Sequence, residues 1–373
     1  MTPRENLLKT LRHEAHEWIP LAGHCDPYNQ PHRRGMDPAL AEALGTVRWH
    51  DESTMIFSRY LGLDIMDFYY APLRCRQREV TIDTDRDGDI QTTVWHTPSG
   101  DLREVTRYSG DTGLPYTLEH MVKTVDDLAP LAAVFADQEF SVDADGAQAL
   151  LRRQAQVGDD GLVMAAMTGT PLGQLVRVHS GVENLAYLWA DGRHELHELF
   201  AVMEENHLRQ YRLAATLPGL DVLICMDDTS TTTISPAMFE ECCLDYTDHL
   251  ADVMHAAGKF YFHHSCGLIR DLLALYRQTK MDAVHAYQVP PIGDVTIAEG
   301  RPNLGDKITM IVSLVQMCGS LDNRAEVAES IRELFAEAQP GDGIIFGLAP
   351  DPEKDMEETA FVARECQKYQ RLN

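Results

Sequence analysis

The sequence predicts a closed (β/α)8 TIM barrel of the α/β class, on three observations. Short, continuously apolar runs alternate with helical stretches along most of the 373 residues. About eight such runs are present, the number that closes a barrel. Polar or glycine residues follow the runs, as they do where barrel strands open onto a site at their C-terminal ends. A doubly wound open sheet is the alternative, but no G-x-G-x-x-G follows any strand and the P-loop pattern is missing.

In chain order, residues 4–12 read as an amphipathic helix, with Leu7, Leu8 and Leu11 opposite Arg4, Lys9 and Arg12. Trp18 to Ala22 reads as the first strand and runs into the polar cluster His24, Cys25 and Asp26. Gly62 to Met66 reads as the second and leads to Tyr69 and Tyr70. From about 77 to 108 the pattern breaks into alternating segments separated by Asp87-Gly88 and Pro98-Ser99-Gly100-Asp101, which signals an inserted β-hairpin. After a helical stretch at 125–135, strands are expected at 162–166, 221–225, 259–262, 283–287, 308–312 and 344–346. Long helices are expected at 182–217 and 236–257, the second punctuated by Ser235 as N-cap, Pro236 and Gly258. Residues 1–373 thus read as one domain with a hairpin excursion near the N-terminus.

Composition narrows the function. The formal net charge of −26, from 58 acidic and 32 basic residues, repels nucleic-acid phosphates and anionic lipid, so neither is an expected partner. The first residues, Met1-Thr2-Pro3-Arg4-Glu5, lack the apolar core of a signal peptide, and no apolar run is long enough to cross a bilayer. A cytoplasmic location is the expectation. The 8 cysteines show no framework spacing and read as free thiols.

The site expectation centres on Lys259 to Gly267. A strand running to its polar tip here puts His264 and Cys266, two residues apart, on one face. An imidazole and a thiolate are two of the ligands a tetrahedral zinc prefers. Spacing alone leaves a second reading open, a buried cysteine and a hydrogen-bonded histidine at a turn made by Gly267. A barrel would bring His24, Asp227, His264, Cys266 and Gln288 into one mouth. Asp227 and Gln288 are the catalytic candidates, and His24, Asp26, Tyr69 and Asp228 the candidates to bind substrate. Capping by Asp227-Asp228 and rim filling by Tyr69 and Tyr70 stay open as alternatives. His285 is expected in the barrel wall and Cys318 in ordinary packing.

Several motifs together resemble the uroporphyrinogen decarboxylase superfamily. They are Arg4-Glu5-Asn6, Asp227-Asp228-Thr229 with Ile234 to Glu241, His255 to Lys259, His264-Ser265-Cys266-Gly267, and Pro290 to Val295. In motif the chain is similar to the cobalamin-linked methyltransferase branch, whose H-x-C supplies zinc ligands and is matched by His264 and Cys266. That likeness implies Zn2+, a small methylated substrate, and a corrinoid (cobalamin) carried by a separate protein. Thiol-methylating members add a cysteine ligand before a Gly-x-x-Pro stretch, whereas here Phe346 or its neighbours stand at that place. Asp227, Asp228, Glu241, His24 and Cys25 are then the candidates for a further ligand. True decarboxylases grip substrate carboxylates with an arginine-rich segment that the region Asp26 to Gly35, with Arg33 and Arg34, does not reproduce. The expected function is therefore a zinc-dependent methyltransferase working with a corrinoid protein. The alternatives are a metal-independent decarboxylase or lyase, and a binding subunit without catalysis. The hairpin would serve as a homodimer contact or as a docking arm for the corrinoid protein.

Overall fold

In the computed structural model, residues 1–23, 53–110, 114–314, 323–348 and 356–372 are described. Within them the strands, in chain order, begin with β1 (Leu21–Gly23) and β2 (Asp64–Tyr70). The inserted region holds β3 (Leu73–Arg76), β4 (Thr81–Asp87), β5 (Ile90–Thr97), β6 (Gly100–Tyr108), β7 (Pro115–Glu119) and β8 (Glu139–Val142). Then follow β9 (Gly161–Thr168), β10 (Val222–Met226), β11 (Phe260–His264), β12 (Ala283–Tyr287), β13 (Thr309–Ser313) and β14 (Ile344–Leu348). Parallel pairing closes β1-β14-β13-β12-β11-β10-β9-β2 into an eight-stranded barrel, so the expected (β/α)8 fold is the observed one.

Strand alternation divides the core in two. Met66, Leu162, Met164, Val222, Ile224, Phe262, Ala283, Ile311 and Ile345 fill the inside of the cylinder. The residues between them, such as Leu223, Tyr261, Val284 and Phe346, pack outward among the helices. The helix Pro3–Leu11, started by a Thr2–Glu5 capping box, puts Leu7 and Leu11 into the inner cluster and stops the N-terminal end of the barrel. Burying each of those leucines contributes about 2 kcal/mol. Arg4 fastens this plug, donating to Gly161 O at 2.8 Å and to both carboxylate oxygens of Asp221.

The inserted region is larger than a hairpin. β4-β5-β6-β7 form an antiparallel sheet, and β3 pairs with β8 to tie its two ends together. β7 gives little sequence signal because it is short and opens on Pro115. Each of the two long helices is interrupted. The first breaks at Gly192 into Gly181–Asp191 and Arg193–Ala215, and the second at Cys243 into Pro236–Cys242 and Leu244–Ala256. Ser235 caps as expected, accepting from Met238 N at 3.2 Å. Among the described residues no helix is long and apolar enough to cross a membrane.

Candidate metal centre

The C-terminal ends of β10, β11 and β12 build the site. Register pairs Thr168 with Met226, Met226 with His264, and His264 with His285, so neighbouring strands present these residues as one row. Below the row lie the inward-facing Ala166, Ile224, Phe262 and Phe68, an apolar floor. Cys266 sits two residues past the end of β11, where Gly267 at φ +107 turns the chain; a Cβ there would also lie 3.0 Å from Ser230 Oγ.

Asp228, His264 and Cys266 converge, with one donor atom from each all within 4.8 Å of one another. His264 Nε2 stands 2.8 Å from Asp228 Oδ1, and Cys266 Sγ donates to the same oxygen at 3.4 Å. Arg177 donates to the other oxygen, Oδ2, from the π-helical turn Leu175–Ser180 that follows β9. Asp228 holds this position with a left-handed backbone, φ +51, a conformation that costs about 1–2 kcal/mol in a non-glycine residue. The hydrogen bond with His264, and then Arg177, keep the Asp228 carboxyl well below the usual carboxylate range although burial opposes this. Burial, reinforced by the Asp228 charge, pushes the Cys266 thiol up to about 11.

His285 supports His264 from the side, with the two Nδ1 atoms 2.7 Å apart. Its placement follows from regular alternation, since Ala283 faces the inside of the cylinder and β11 pairs with β12 in unbroken register; the irregularity of β12 comes just after it. The pairing with β13 shifts register between Val284 and Tyr287, and Ala286 takes φ +59. A histidine expected as wall is the lateral partner of a site residue.

The donor set suits zinc. A tetrahedral ion with bonds of about 2.0–2.3 Å holds its ligand atoms roughly 3–4 Å apart, close to the spacing here. An imidazole Nε2, a thiolate and a carboxylate would hold it. Two anionic ligands balance a dication, which favours the Cys266 thiolate over the thiol that burial imposes without it.

Other expectations change. Asp227, expected as catalytic and as a metal ligand, turns out of the mouth. Its Oδ1 accepts from Thr170 N at 2.5 Å and Thr170 Oγ1 at 2.8 Å, and its Oδ2 accepts from Thr229 Oγ1. Glu241, expected as a possible ligand, lies on the outer helix Pro236–Cys242, where it pairs with Arg193 and His197. Tyr69, expected at the substrate, packs with the outer core while the Arg153 guanidinium lies 5.7 Å over its ring. Period-two alternation from Met66 and Phe68 gives the inward position to Tyr70 instead. Phe346 also faces outward, its ring 4.3 Å from that of Phe335, so the inward place on β14 falls to Gly347, which has no side chain. Gln288 is buried one residue past β12, and its Oε1 has no hydrogen-bond partner among the described residues. It does not belong to the Asp228, His264 and Cys266 group. Asp228, read both as binding substrate and as a candidate further ligand, is the third donor of that group. His24, Cys25, Asp26, Arg33, Arg34 and Cys318 lie outside the described residues.

Known proteins place this architecture. A methyltransferase from Methanosarcina mazei overlays at TM-score 0.60 with 14% identity, covering 99% of this chain and 99% of that one, so the two share a fold. A broad-specificity GH5-4 endoglucanase from Bacteroides salanitronis reaches only TM-score 0.40 at 7% identity, covering 62% of this chain and 77% of its own, too loose a likeness to argue from. None of the curated proteins matches the chain. Residues 106–362 match the model of the uroporphyrinogen decarboxylase (URO-D) family, and since that span is well over half of the sequence, the chain belongs to this family.

Proposed function

We propose that this protein is a zinc-dependent methyltransferase that moves a methyl group between a small methylated substrate and a corrinoid on a separate protein. One observation carries the reading: Asp228, His264 and Cys266 bring a carboxylate, an imidazole and a thiol together at the C-terminal end of a barrel. The chemistry a zinc ion supplies when bound is Lewis acidity, which polarises a methyl-bearing heteroatom or lowers the pKa of a substrate thiol.

The chain's own residues do the rest. His264 and Cys266, at one strand end, would hold the ion at the barrel mouth. His285 orients the His264 ring through Nδ1 and so leaves Nε2 for the metal side. Arg177 binds the Asp228 oxygen that faces away from His264 and so joins the His264 hydrogen bond in keeping that carboxylate ionised. The apolar floor of Phe68, Ala166, Ile224 and Phe262 accommodates a methyl group and excludes water beneath it.

The test offers methylated amines, thioethers and aryl ethers to the purified protein together with reduced free cobalamin, and follows methylcobalamin by its absorbance. Turnover should vanish on chelation and return with zinc. Turnover of a carboxylated substrate that ignores both chelation and Cys266→Ser would identify the metal-independent lyase instead.

A further inference from the structure

The two segments that carry the donors, Asp227-Asp228-Thr229 and His263-His264-Ser265-Cys266, run side by side and alternate in direction. Asp228, His264 and Cys266 face the mouth. Asp227, Thr229, His263 and Ser265 are all buried on the other side, where they bond to one another. Thr229 Oγ1 donates to Asp227 Oδ2 and lies 2.8 Å from His263 Nε2. A hydroxyl has one proton and a carboxylate only accepts, so His263 is the donor of that second bond and carries its proton on Nε2. Its Nδ1 has no partner among the described residues. Ser265 Oγ donates to Thr229 O at 2.9 Å and lies 2.6 Å from Tyr276 OH. Asp227 is anchored in turn to Thr170, and so closely that a Cβ on Gly173 would lie 2.1 Å from Asp227 Oδ1.

We infer that Thr229 and His263 are positioning residues for the donor triad. Their bonds clamp both chain neighbours of Asp228 and so hold its left-handed backbone. The same bonds lock β11 to the segment after β10, which sets the separation between Asp228 and the pair His264 and Cys266. The inference rests on reading that triad as a metal site. It assigns the frame to the outward residues, which touch no substrate.

The test compares Thr229→Val, which keeps the volume and removes the hydroxyl, with Thr229→Ser, which keeps the hydroxyl. Zinc affinity is read by competition with a chromophoric chelator, ligand geometry by the Co2+ absorption spectrum, and the Asp228 backbone by metal-free crystal structures. Thr229→Val should weaken zinc about 10- to 100-fold and shift the cobalt spectrum. It should also release Asp228 from His264, while Thr229→Ser restores all three readouts. If Thr229→Val does not fold, His263→Phe keeps the edge-on packing against Phe239 and Tyr276 and removes Nε2. Unchanged zinc affinity and spectrum in these variants overturn the inference and leave the metal site standing. A parent protein that takes no metal, with Asp228 still released in Thr229→Val, overturns the metal reading and leaves the frame standing. Unfolding of both variants beside an intact Thr229→Ser makes the network a folding determinant and also overturns the inference.

Discussion

Two clusters in this molecule offer similar donors, and their surroundings separate them. Asp228, His264 and Cys266 stand half-buried at strand ends, whereas His197 and Glu241 are exposed on outer helices beside Cys242. The buried polar frame behind the first fixes its geometry. In the second, Glu241 already accepts from Arg193, whose guanidinium also stacks 3.8 Å from the Trp189 ring. A cation there would have to displace another cation, and burial pushes the Cys242 thiol up to about 12. Matching donor types therefore do not by themselves make a metal site: Arg193 takes both Glu241 oxygens, whereas Arg177 takes one Asp228 oxygen and leaves Oδ1 facing His264 and Cys266 in front of the buried frame.

The largest expected effect breaks this comparison directly. After dialysis the parent protein should keep about one zinc per chain. His264→Ala and Cys266→Ser should lose it, and Glu241→Gln should retain it, by elemental analysis. Loss in Glu241→Gln with retention in Cys266→Ser would reverse the assignment of the two clusters.

A smaller effect comes from the lateral partner. His285→Phe should lower zinc affinity about 10- to 100-fold at unchanged saturating stoichiometry. An unaltered affinity would put His285 in the wall alone.

The smallest effect comes from histidines buried away from the site. His207 is fully buried and bonded at 2.8 Å to Tyr246 OH, and burial brings its pKa down from 6.5 to about 3. Burial also lowers His179, to about 4. Groups held neutral in the fold bind fewer protons than in the unfolded chain, so stability rises with pH across this window. Their contribution is full above pH 6.5 and is lost as pH falls towards 4 and then 3. Denaturant titrations of His207→Phe should show a shallower acid slope by up to about 1.4 kcal/mol per pH unit.

Much of the fold was legible because each barrel strand is a short apolar run with a polar end, a pattern that a parallel sheet covered by helices imposes. The site was legible only in part. His264 and Cys266 carry a spacing signal, but choosing Asp228 over Asp227 depends on one left-handed residue, which sequence does not show. Tyr69 was misplaced by a single step of strand phase, and the alternation of Met66 and Phe68 could have found Tyr70. Arg177 and His285 carry no motif, since a π-helical turn delivers the first and the pairing of β12 with β11 the second. The four-stranded insertion read as a hairpin because β7 hides behind Pro115.

Anomalous scattering at the zinc edge, from crystals of the protein grown with zinc, tests the central claim most directly. The account predicts a peak bonded to His264 Nε2, Cys266 Sγ and an Asp228 oxygen. A peak between His197, Glu241 and Cys242, or no peak at His264 and Cys266, would contradict it.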